Sequence, residues 1–159
     1  MQDLLPLAAR VGASLIRRGE TVAVSESSSG GLVSAALLAV PGASAYFRAG
    51  AVVYTAQARS ALLGITKAEM MGLRSASEPY AALLARTMRA RLGTDWGVAE
   101  TGAAGPSGNS HGDLAGHTCL ALDGPAVRVL TLETGDGDRV ANMRRFARAL
   151  LEMLADATD

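Results

Sequence analysis

The chain has 159 residues, 49% of them hydrophobic and 19% charged, and its fifteen basic residues balance its fifteen acidic ones. That length holds one domain, residues 1–159, with a real core, and is short for two. Zero net charge, aromatics at 4% and the lack of a basic stripe exclude an evident nucleic-acid binder, and no apolar run is long enough to cross a bilayer. The N-terminus, Met1-Gln2-Asp3-Leu4-Leu5-Pro6, has neither the basic start nor the apolar stretch of a secretory signal. Leu4, Leu5, Ala8, Val11, Leu15 and Ile16 recur at helical spacing, so an opening helix runs to about Arg18 and stops at Gly19. Residues 21–25 read as a strand, 31–40 as a helix closed by Pro41-Gly42, 47–54 as a second strand, and 56–63 as a short helix ending at Gly64. Residues 66–71 read as a further helical turn. Ser77 caps a long helix through about Leu92, with Pro79 in the first turn, where its missing N–H costs nothing. A strand over 95–101 leads into a glycine-rich loop over 102–112. Strands over 114–122 and 126–132 form a hairpin about Asp123-Gly124-Pro125, and a last helix over 138–154 ends in a polar tail.

This alternation predicts a single-domain, three-layer α/β/α fold on a mixed sheet, since the hairpin adds antiparallel strands to a parallel set. Cys119, the only cysteine, excludes an internal disulfide and fits a cytoplasmic protein, and among apolar strand residues it reads as core. With two histidines and no ligand-like spacing, neither a metal nor another cofactor is expected.

Chemistry concentrates in the run Ser25-Glu26-Ser27-Ser28-Ser29-Gly30-Gly31, between the first strand and the next helix. A strand that empties into a Gly-Gly turn and a helix puts a small hydroxyl at the strand's carboxyl end and aims free N–H groups at whatever binds there. That suits a serine nucleophile beside an oxyanion hole, a phosphate cradle, or only a capped βα turn. Two further loops have the same character: Thr101-Gly102-Ala103-Ala104-Gly105-Pro106, and Gly135-Asp136-Gly137-Asp138-Arg139. Ligands of open α/β sheets bind beyond the carboxyl ends of the strands, where the first two loops lie. The hydroxyls of Ser27, Ser29 and Thr101 with a lone arginine favour a small polar or phosphorylated ligand.

These motifs, in this order, resemble a known family. Glu26-Ser27-Ser28-Ser29-Gly30-Gly31 is similar to its Glu-Ser-Cys-Thr-Gly-Gly, and Thr101-Gly102-Ala103-Ala104-Gly105-Pro106 to its Thr-Gly-Ile-Ala-Gly-Pro. Between and after them come Pro41-Gly42-Ala43-Ser44-Ala45-Tyr46-Phe47, Val53-Tyr54, Leu62-Leu63-Gly64, Ser77-Glu78-Pro79 and Gly137-Asp138-Arg139. The chain is identified as a member of the CinA C-terminal-domain family, the nicotinamide-mononucleotide amidases, in a stand-alone form. The resemblance implies a homodimer that hydrolyses the carboxamide of a nucleotide substrate, nicotinamide mononucleotide, to nicotinate mononucleotide and ammonia. It implies Ser27 as nucleophile, Gly30 and Gly31 amides as oxyanion donors, and Ser29, Ser44, Tyr54, Thr101, Gly102 and Arg139 at the active site or substrate, with Arg139 suited to the phosphate.

Ser28 and Ser29 stand where the family has cysteine and threonine, Ala56 stands where it has asparagine, and one further departure is serious. The family's Tyr-Ser-Asn-Glu-Ala-Lys ends in the lysine that serves as general base, and here the stretch is Tyr54-Thr55-Ala56-Gln57-Ala58-Arg59. Lowering a lysine to a working pKa of about 7–8 takes roughly 3–5 kcal/mol of environmental work, which buried lysines achieve. Arginine starts well above lysine and stays protonated in proteins, so Arg59 is not a base; it can hold an anion or orient Ser27. A histidine is the alternative base by residue type. His117, on a strand, is expected to face solvent or a partner subunit, and His111 to be exposed in its loop.

Overall fold

The computed structural model describes residues 1–159 and gathers five strands into one sheet of order β2-β1-β3-β4-β5. The strands are β1 (Val22–Glu26), β2 (Phe47–Val52), β3 (Trp96–Ala103), β4 (His117–Asp123) and β5 (Arg128–Glu133). β1 runs parallel to both β2 and β3, whereas β3, β4 and β5 pair antiparallel, so the sheet is mixed as expected. Period-2 alternation sends Val22 and Val24 to one face and Ala23 to the other, and a core forms on each side.

On the first face, α1 (Leu5–Arg18), α2 (Leu32–Leu38) and α5 (Arg139–Thr158) bury Leu15, Leu37 and Leu150 against Trp96, Val98 and Leu120. On the second, α3 (Ala56–Leu63) and α4 (Glu78–Leu92) cover Ala23, Ala99, Cys119 and Ala121. Those small side chains let α4 lie close to the sheet: a Cβ at Gly97 would stand 2.0 Å from the Ala85 carbonyl oxygen. Ser77 caps α4 by accepting from the Tyr80 N–H, and Asp138 caps α5 through the Ala141 N–H at 3.0 Å. No helix is long and apolar enough to cross a membrane.

The differences from expectation fall at element ends. β3 continues two residues beyond 101, because β4 pairs with it as far as Ala103, so Gly102 and Ala103 are strand residues. Residues 66–71 form turns, with Thr66 held by the Glu69 carboxylate, and not a helical element. α5 runs on to Thr158, since Leu154, Ala155 and Thr158 are buried against the first core rather than forming a polar tail.

Candidate active site

Two glutamates build the turn after β1. Glu26 ends the strand, and in this otherwise apolar setting its fully buried carboxylate folds onto the start of α2. It accepts from the N–H groups of Gly31 at 3.1 Å, Val33 at 3.0 Å and Ser34 at 2.8 Å, and from the Ser34 hydroxyl at 2.7 Å. Glu100, on the adjoining β3 and also fully buried, accepts from the N–H groups of Ser27 at 3.1 Å and Ser29 at 2.8 Å and from the Thr118 hydroxyl. The Ser28 hydroxyl donates to Glu100 as well, and the Ser29 hydroxyl is shared between the two glutamates at 2.8 Å from each. Buried carboxyl oxygens are tolerated where donors surround them, and most of these donors belong to the turn itself.

The helix amides are therefore spoken for. Gly31 donates to Glu26 and Gly30 to the Ser27 carbonyl, so neither is a free oxyanion donor, contrary to the expectation from the motif. Ser29 is buried between the carboxylates and does not reach a cavity. Gly30 and Gly31 serve the turn itself: both have positive φ, 68° and 95°, and a Cβ on Gly30 would meet the Met143 methyl at 2.8 Å.

Ser27 faces the other way. Its backbone N–H is tied to Glu100, its hydroxyl makes no hydrogen bond within the chain, and the residue lines a cavity of about 320 Å³ at the carboxyl ends of β1 and β2. Tyr54, Arg59, Thr101 and Gly102 line the same cavity, so five residues singled out from distant stretches of sequence come together. The loop before α4 adds Ser75 and Ala76, α4 adds Tyr80, and the loop after β3 adds Asn109, Ser110 and His111, none of which a local motif marked. Arg59 lies with its guanidinium carbon 5.8 Å from the Tyr80 ring centre and its Nε buried without a hydrogen-bond partner. Burial pushes the Tyr80 hydroxyl up from its ordinary pKa, with Arg59 opposing.

A second cavity, about 240 Å³, adjoins the first through Tyr54, Gly102 and Asn109 and contains Ser28 and Arg139. Arg139 donates to the Gly105 carbonyl at 2.6 Å and to the Tyr54 hydroxyl at 3.3 Å. One buried side chain holds this region together. Asn142, a turn into α5, donates to the Ala104 carbonyl at 2.9 Å and the Asp136 carbonyl at 2.7 Å and accepts from the Thr134 hydroxyl at 2.6 Å.

Two expectations are corrected by position. Ser44 is exposed in a short 3₁₀ turn before β2, whereas the cavities lie beyond the opposite end of that strand. The six-residue strand between them spans roughly 20 Å, so Ser44 does not join Ser27 within one chain. His117 faces neither solvent nor the cavity. It is buried, with Nδ1 2.5 Å from Glu133 Oε1 and Nε2 2.9 Å from the Ala76 carbonyl oxygen. Burial works against its charge, but Glu133, the Ala76 carbonyl and Asp113 outweigh it and raise its pKa. The imidazole on the cavity wall is His111, which is exposed.

A mixed sheet of five strands covered by helices on both faces defines a single-domain α/β protein, with a serine and two arginines at the two adjoining cavities. The model of the CinA C-terminal domain matches residues 4–158, and the chain belongs to that family. A CinA-like protein of Chlorobium phaeobacteroides is 39% identical over 150 residues, covering 91% of this chain and 36% of the relative. One of Gloeobacter violaceus is 42% identical over 119 residues, 75% of this chain and 28% of the relative. The chain thus spans about a third of the length of the curated relatives it matches. Among solved structures, the competence/damage inducible protein CihA of Agrobacterium tumefaciens superposes with a TM-score of 0.88 at 31% identity, covering 99% of this chain and 96% of that one. A CinA superfamily protein of Klebsiella pneumoniae gives 0.89 at 25% identity, with 96% of each chain covered.

Proposed function

We propose that this chain is a serine amidohydrolase acting on nicotinamide mononucleotide, and a slow one. The observation that supports it is the meeting of Ser27, Tyr54, Arg59, Thr101 and Gly102 in one cavity, with Arg139 in the next. The Ser27 Oγ attacks the carboxamide carbon and gives up its proton; ammonia leaves with a proton added to the amide nitrogen, and water then cleaves the ester to release the acid. Arg139 takes the phosphate in this reading, which is supported by its lack of a carboxylate partner.

Slowness follows from two features. The residue type at position 59 cannot take the proton, and the amides of Gly30 and Gly31 already serve other acceptors. Loss of one oxyanion donor costs about 3–4 kcal/mol of barrier, and loss of a general base a factor of about 10²–10⁴. By residue type, His111 is the remaining group on the cavity wall with a ring nitrogen that can accept the proton. A second reading, a nucleotide-binding protein without turnover, is favoured by the same two features. Ammonia release from nicotinamide mononucleotide separates them. The amidohydrolase reading requires release above background that Ser27→Ala abolishes with almost no change in melting temperature, since the Ser27 hydroxyl carries no structural bond. Equal release by Ser27→Ala would sink the nucleophile assignment, and binding without release by wild type would select the second reading.

A further inference from the structure

The lining of the two joined cavities is one-sided in charge, although Glu26 and Glu100 lie buried behind it. The chain as a whole is neutral, yet neither cavity is lined by an aspartate or a glutamate, while each contains an arginine. Several other arginines, such as Arg10, Arg74 and Arg145, face carboxylates. Arg139 instead holds only a carbonyl and a phenol oxygen, and Arg59 stands over the Tyr80 ring with a buried Nε that no protein group satisfies. The Nε is closed off from the cavity, so a ligand meets this guanidinium through its terminal N–H groups, which no carboxylate occupies.

Arg59 shares its cavity with Ser27, and so stands where the reacting group of a substrate would lie. Its guanidinium presents N–H donors and no acceptor. A carboxamide offers such a fork one oxygen and one NH₂ group, and the NH₂ group meets donors. A carboxylate offers two oxygens in the spacing that the fork matches, and adds opposite charge in a partly dry site. We infer that the site is selective for the acid over the amide: its preferred ligand carries two anionic groups, a phosphate at Arg139 and a ring carboxylate at Arg59, as nicotinate mononucleotide does. This rests on the reading of the cavities as a pyridine-mononucleotide site. Under that reading the acid is the product of the reaction, so the enzyme is held by what it makes, and Arg59 decides between amide and acid in binding as well as in turnover.

The test is calorimetric titration at pH 7.5 of wild type, Arg59→Gln and Arg139→Gln with nicotinate mononucleotide and with nicotinamide mononucleotide, each variant first checked for a native circular-dichroism spectrum. Wild type is expected to bind the acid at least about tenfold more tightly than the amide, the difference between a charge-assisted and a neutral hydrogen bond. Arg59→Gln, whose side chain donates and accepts equally, should bring the two affinities within about twofold. Arg139→Gln should weaken both ligands alike and keep their ratio. Equal affinities in wild type, or a preference for the acid that survives Arg59→Gln, would overturn the inference while leaving a pyridine-mononucleotide site in place. Binding of neither ligand by wild type would overturn the site assignment and the inference with it.

Discussion

Asn142→Leu removes the side chain that ties three segments near Arg139 to α5. Leucine keeps the branching and heavy-atom count of the amide, but its methyls are bulkier and cannot hydrogen-bond, so they fill the place and leave no room for water to replace it. The Ala104 and Asp136 carbonyls lose their donor, and the Thr134 hydroxyl loses its acceptor while still accepting from the Asp136 N–H. Asn142 and Ala104 are buried whereas Thr134 and Asp136 are half-buried, so only the Ala104 carbonyl bears the full cost of about 1–3 kcal/mol. Leucine recovers only about 0.5 kcal/mol through its better helix propensity. With a partial cost at the other two groups the net loss is about 1–3 kcal/mol, and at about 2–4 °C per kcal/mol for a chain of this size the melting temperature should fall by about 2–12 °C. Thermal unfolding followed by circular dichroism measures it. No fall in melting temperature would refute the assignment of these three bonds as a structural clasp.

Two further outcomes concern the histidines. Since the pKa of His117 is raised in the folded state, its contribution is fully present below the ordinary histidine value of 6.5 and is lost as pH rises through the native value. The stability gap between wild type and His117→Asn in urea unfolding should therefore be largest at acid pH and shrink towards pH 9; a gap that widens with pH would contradict the Glu133–His117–Ala76 arrangement. His111→Ala should remove most of whatever ammonia release wild type shows while leaving nucleotide binding within about threefold, because proton removal matters in the transition state and little in substrate binding. Unchanged release would take His111 out of the reaction.

Much of the fold was legible because alternating apolar strands and capped helices announce themselves locally. Ser77-Glu78-Pro79 opened α4 as expected, and Gly19 and Gly64 closed α1 and α3 in left-handed conformations. The errors at 102–103 and 155–158 arose where tertiary contact extends an element: β4 lengthens β3, and the first core holds the last turn of α5. At the site, motif residues told where chemistry lies but not which atoms are free. Ser27 and Ser29 are two residues apart, and only the placement of Glu26 and Glu100 decides that one faces the cavity and the other is buried. A signal for those glutamates was present, since each is an ionisable residue closing an apolar strand run, Val22-Ala23-Val24-Ser25-Glu26 and Val98-Ala99-Glu100. Asn142 carried a similar signal, because it shares the i, i+4 stripe of Phe146, Leu150 and Leu154. His111 and Tyr80 carried none. They reach the cavity through the loop after β3 and through α4, which no local spacing relates to Ser27.

The central claim is that Ser27 performs amide chemistry limited by the missing base at position 59. It is tested most directly by ammonia release from nicotinamide mononucleotide, measured side by side for wild type, Arg59→Lys, and Arg59→Lys combined with Ser27→Ala. Restoring a base should raise turnover by about 10²–10⁴-fold, more in the rate than in the Michaelis constant, and the added Ser27→Ala should return it to background. A fast wild type slowed by Arg59→Lys, or a double variant as active as Arg59→Lys alone, would contradict it.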